Sequence, residues 1–184
     1  MNVVNRIFYP LAVLAAVVMS AVMILGLYLH SLGVRNSDDF VMSVATAHRL
    51  TGILAAVFVL FVESIVVTYF VGTNRWCKEV SETYRLGDRF TVASTHLKRR
   101  AFSLSFVGML IVVVIAAFGA ASDPGVRLSA DAIWSDVHLG AALLGITLIV
   151  GGFFLQAGYI QGNHEVIEQV MGEVKRIRSE RGLE

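Results

Sequence analysis

Four stretches of the chain are apolar almost without interruption, roughly 8–34, 41–72, 101–122 and 132–162, and polar residues gather between them. About 20 residues of helix cross a hydrocarbon core, so each stretch predicts one membrane-spanning helix. The outer connections are short. Ser37 or Asp38 suits the N-cap of the second helix, Ser129 or Asp131 that of the fourth, and Ser122-Asp123-Pro124-Gly125 reads as a turn. Short connections force neighbouring helices antiparallel. The expected fold is all-α: an integral membrane up-down-up-down four-helix bundle over 1–162, with a cytoplasmic C-terminal amphipathic helix over 163–184. In that tail Ile167, Val170, Val174 and Ile177 recur at spacings of three and four. Between the second and third helices, Trp76, Val80 and Tyr84 share one face, the pattern of an amphipathic stripe lying on the membrane surface.

Composition narrows the class. The chain has 184 residues, of which 56% are hydrophobic and 16% charged, so little remains for a soluble domain. A net charge of +1 carries no nucleic-acid footprint. The first apolar run is far longer than the core of a signal peptide, about 7–15 residues, and predicts a retained helix. Cys77 is the single cysteine, so no intrachain disulfide and no thiolate cluster can form. Basic residues set the orientation. Arg6, seven Lys or Arg between residues 75 and 100, and four in the tail lie on one side; only Arg35, Arg49 and Arg127 lie on the other. Both termini are therefore expected in the cytoplasm, most simply of a bacterial inner membrane.

The chemistry lies in the histidines. His48 heads the second apolar run, and Gly52, Ala55 and Ala56 follow on its own helical face. His138 heads the fourth and is followed by Ala141, Ala142 and Gly145. A histidine inside a membrane helix is costly unless it is paired or ligating. Two of them, each above a trough of small residues, describe the walls of a slot for a porphyrin with an axial ligand on either side. The alternative is that small residues only bring helices close and each histidine hydrogen-bonds a neighbour. The residues expected around heme b are His48 and His138 as iron ligands, Gly52, Ala55, Ala141 and Gly145 as the troughs, and His30 and Arg49 near the propionates, with Arg35 or Arg127 assisting Arg49. Three histidines, His30, His48 and His138, would instead suit copper or zinc. Deeper in the bundle, Glu63 and Gln156 stand at similar depth and are expected to hydrogen-bond, or to form a proton- or quinone-handling site.

The His48-Arg49 pair opening one helix, with His138-Leu139 and Ala141-Ala142-Leu143-Leu144 opening another, resembles a four-helix half of the heme A synthase family. The resemblance implies b-type heme held between His48 and His138 at the outer ends of the second and fourth helices. Two departures accompany it: Ala45 stands where the catalytic half of that family has a glutamate, and the outer-loop cysteine pair of many members is missing. His48-Arg49-Leu50-Thr51-Gly52 is also similar to the His-Arg-x-Thr-Gly motif of the cytochrome b anchor of succinate dehydrogenase, a family whose chains normally have three spanning helices.

The expected function is that of a membrane b-type cytochrome with one bis-histidine heme, transferring electrons within a larger respiratory or redox complex. Its expected partners are membrane lipid and a protein partner or second copy in the membrane, with a quinone as a further candidate; nucleic acid is not among them. The alternatives are a non-redox structural or assembly subunit and an oxidase related to heme A synthase.

Overall fold

With few charges inside them and no water to serve the backbone, the apolar stretches satisfy their own peptide groups as helices. The computed structural model describes residues 3–32, 39–123 and 133–183. They form α1 Val3–Leu32, α2 Asp39–Tyr84, α3 Arg89–Ala121 and α4 Ile133–Glu180. All four are long and apolar enough to cross a membrane, the mark of a multi-pass membrane protein. The outward faces carry large apolar side chains such as Ile24, Leu54, Phe61, Phe106, Leu144 and Phe154. Such a surface is at home in lipid and not in water.

The buried positions repeat. Phe8, Ala12, Ala15 and Met19 on α1 recur 93 positions later as Ala101, Ser105, Gly108 and Val112 on α3. On α2, Ala55, Val59, Glu63, Val66 and Phe70 recur 90 positions later on α4 as Gly145, Ile149, Phe153, Gln156 and Ile160. The pairs α1–α2 and α3–α4 thus repeat one pattern of buried positions, the second with a connection three residues shorter. Their inner faces form a single apolar core running from Phe8 and Phe70 to Met19 and Ala55.

α2 and α4 are too long to end with the bilayer. At about 1.5 Å per residue each extends about 70 Å, against a hydrocarbon core of about 30 Å. Their surplus, together with the start of α3, builds a second cluster at the end of the molecule rich in Lys and Arg, here the basic end. Cys77, Phe90, Val170 and Val174 are buried in it, with Trp76, Val80 and Tyr84 packed against them. The Trp76-Val80-Tyr84 stripe thus faces other helices and not a membrane surface, which corrects the expectation from its spacing. Periodicity identified a buried face but could not say what buries it. α2 stops at Arg85, whose φ of 54° is left-handed, while Leu86 N–H bonds the Ser81 carbonyl at 2.8 Å. That is a Schellman stop, and it turns the chain directly into α3. α4 continues unbroken through residue 163, so the expected boundary between bundle and tail falls inside one helix. The N-cap candidates Ser37, Asp38, Ser129 and Asp131 lie outside the described residues.

The basic-end cluster makes a stability prediction. Phe90→Ala should cost about 3–5 kcal/mol, the range for emptying a buried aromatic site. Val92→Ala, at a position 64% exposed on the same helix, should change stability by less than about 0.5 kcal/mol. Unfolding titrations in mixed micelles measure both; equal losses would contradict the packing described.

Candidate functional site

The two helix pairs bring one histidine each to a common meeting point, and they seat the rings in the same way. On α2, the half-buried His48 turns Nδ1 towards α1 and donates to the Val22 carbonyl at 3.2 Å. A carbonyl only accepts, so the proton sits on Nδ1 and Nε2 keeps its lone pair. One turn beyond Val22 is Gly26. A Cβ there would lie 2.9 Å from His48 Cε1, so the imidazole rests on bare backbone. On α4, His138 rests in the same manner on Gly119 of α3, where a Cβ would lie 3.0 Å from its Cε1. One turn before Gly119, the Ile115 carbonyl stands beside His138 Nδ1 but outside hydrogen-bond geometry. His138 Nδ1 is left buried without a hydrogen-bond partner.

Seated this way, the two rings meet with centroids 6.2 Å apart and planes at 74°. That spacing can be tested against an iron between them. Two metal–imidazole bonds of about 2 Å, with about 1 Å from each nitrogen to its ring centre, set the centroids about 6 Å apart. The separation of the two rings is therefore that of imidazoles sharing one metal ion.

The troughs differ from each other. Gly52 has room: a Cβ there would meet only Val22 Cγ1, at 3.8 Å. Ala55 is buried in the core and Ala141 half-buried. Gly145 is filled from α3, where a Cβ would fall 2.5 Å from Ile115 Cδ1 and 2.8 Å from Ile111 Cγ2. The strip below His138 is thus a helix-packing surface in this conformation.

His30 and Arg49 lie nearer the bundle end. His30 reaches the start of α4, with Nδ1 3.4 Å from Ser135 Oγ and Nε2 3.8 Å from Asp136 Oδ1. It ties α1 to α4. Among the described residues no group of three or more His, Cys, Asp or Glu gathers to hold a metal ion, so the three-histidine copper or zinc site does not form. Arg49 Nη1 donates to Asp123 Oδ2 at 2.7 Å, joining the head of α2 to the end of α3. Arg35 and Arg127 lie outside the described residues. Glu63 and Gln156 do meet, Gln156 Nε2 donating to Glu63 Oε2 at 2.6 Å and to Ser105 Oγ at 3.1 Å.

Reading from the sequence missed the ring seats Gly26 and Gly119 and the carbonyls behind them. The signal was present, since Gly26 and Gly119 stand in the same 93-residue register as the buried positions of α1 and α3. A comparison with family models, with curated proteins and with solved structures finds no match to this chain.

The seats give a direct test. Gly26→Ala and Gly119→Ala push a methyl group into an imidazole and should destabilise the bundle by about 1–3 kcal/mol. Gly52→Ala meets only ordinary contact and gains helix propensity, so it should be neutral or mildly stabilising. Thermal unfolding in detergent reads the difference; Gly26→Ala as stable as Gly52→Ala would show that the ring does not sit where described.

Proposed function

We propose that this protein is a membrane b-type cytochrome in which His48 and His138 hold one heme b as axial ligands. The observation that carries the reading is the facing pair of glycine-seated imidazoles at 6.2 Å. A heme held by these two residues would supply one-electron transfer instead of substrate activation. The chain's own residues prepare the pair. Val22 fixes the tautomer of His48 and leaves Nε2 to ligate, the usual task of an outer hydrogen bond to a ligating histidine. Gly26 and Gly119 set the ring positions by admitting no side chain. His30 and the Arg49–Asp123 pair close the end of the bundle around the site. The resemblance to the four-helix half of heme A synthase points the same way.

In this proposal the helices run up-down-up-down, both termini lie in the cytoplasm of a bacterial inner membrane, and the tail beyond residue 162 is a cytoplasmic amphipathic segment. The histidine end then faces outward. Electrons come from, or pass to, a partner in a larger redox complex or a quinone. A non-redox structural or assembly role is the second reading, favoured by Ile111 and Ile115 packed against Gly145. An oxidase related to heme A synthase would instead show oxygen-dependent product formation.

Heme content of purified variants tests the assignment. His48→Ala and His138→Ala should each abolish the low-spin spectrum, because either change removes one axial nitrogen. His30→Ala should keep it, since this side chain contacts Ser135 and Asp136 and not the imidazole pair. A normal low-spin spectrum in either His48→Ala or His138→Ala would overturn the assignment.

A further inference from the structure

A buried polar group lies deeper in the bundle, away from the histidines, and plays no part in the proposed heme site. Glu63 is 1% exposed and Gln156 and Ser105 are fully buried, on α2, α4 and α3 respectively. Gln156 bonds both Glu63 and Ser105, and the Glu63 carboxyl rests on Gly108, where a Cβ would stand 2.6 Å from Oε1. The Gln156 Oε1 acceptor is buried there without a partner. Burying a carboxylate away from water is costly, and the groups facing this one from α3 and α4 are uncharged. α1 adds only apolar buried residues, Phe8, Ala12, Ala15 and Met19.

Packing does not require this polarity. Glu63 and Gln156 correspond, 90 positions away, to Phe153 and Val66, and Ser105 corresponds, 93 positions away, to Ala12. The matching corner of the bundle is thus filled by apolar side chains, all buried, with Phe153 edge-on to Phe8 at 6.1 Å. One scaffold carries a dry corner and a polar corner. The polar one points to a task.

A chain of hydrogen bonds leads towards it from the basic end. Lys98 Nζ donates to Asn74 Oδ1 at 2.9 Å, and Asn74 Nδ2 to Ser94 Oγ at 3.3 Å. Ser94 Oγ donates to Asn163 Oδ1 at 3.2 Å, and Asn163 Nδ2 to the Tyr69 hydroxyl at 3.2 Å. The described titratable groups on this route are Lys98 and Tyr69. Asn163 lies two helical turns, about 10 Å, from Gln156 along the same face of α4.

We propose that Glu63 is a proton-exchange site inside the membrane, loaded from the basic end through the Lys98–Asn74–Ser94–Asn163–Tyr69 chain. The proton moves alone, passed along water that the carboxamides and hydroxyls of this chain hold in place, from the basic end past Asn163 and Tyr69 to Glu63, which binds it as a carboxylic acid and releases it by the same route. Gln156 and Ser105 hold the carboxyl in place. The proposal is independent of the heme.

Infrared spectroscopy of the full chain in lipid nanodiscs tests it. The wild type should show the carbonyl stretch of a protonated carboxyl at neutral pH. That band should disappear in Glu63→Gln, shift on transfer to D2O and fade as pH is raised. Asn163→Leu should keep the band but slow its D2O shift about tenfold or more; if that variant fails to fold, Tyr69→Phe should slow the shift. No such band in the wild type, or one unmoved by D2O or by pH, would overturn the proposal. A band abolished by replacing potassium with sodium would make this a metal-cation site instead. An unchanged exchange rate in Asn163→Leu, or in Tyr69→Phe where Asn163→Leu does not fold, would overturn the route.

Discussion

Two imidazoles can touch inside a helical bundle only where the neighbouring helices leave room for them, and that constraint fixes the register of all four helices here. Each ring needs a glycine at the point of contact and a carbonyl one turn earlier beside its Nδ1. Gly26 and Val22 supply these for His48; Gly119 and Ile115 supply them for His138. Sliding α1 against α2 by one residue would rotate Gly26 away and bring a side chain against the ring. The same holds for α3 against α4. The buried positions below the histidines, 93 apart on α1 and α3 and 90 apart on α2 and α4, keep the register that these seats define.

The repeat separates what the scaffold needs from what is added to it. Interior positions filled by small or aliphatic groups in both helix pairs, such as Ala55 and Gly145 or Val59 and Ile149, belong to packing. Positions that are polar in one pair and apolar in the other do not. Glu63 opposite Phe153, and Gln156 opposite Val66, are the clearest cases. Symmetry at the histidine end and asymmetry in the middle separate two sites in one bundle, the imidazole pair proposed to hold heme and the lone carboxyl proposed to exchange protons.

Much of this was legible in the sequence. Four helices followed from four apolar stretches, and the meeting of His48 with His138 followed from their equal place at the heads of two helices. The Glu63–Gln156 hydrogen bond followed from similar depth. Other features depend on which helix lies opposite, which periodicity does not encode. Gly145 reads as an open trough until Ile111 and Ile115 are found against it. Trp76, Val80 and Tyr84 read as a membrane-surface stripe until α3 and α4 extend alongside them. His30 and Arg49 read as residues near the bundle end, but that Asp136 and Asp123 stand beside them is visible only once the helices are set together.

The central claim is that the imidazole pair holds iron porphyrin. A reduced-minus-oxidised absorption spectrum of the full-length protein, purified in mild detergent from cells supplied with ample heme, tests it most directly. The account predicts the sharp bands of a low-spin b-type heme. A colourless protein, with no absorbance beyond its aromatic band, would contradict it.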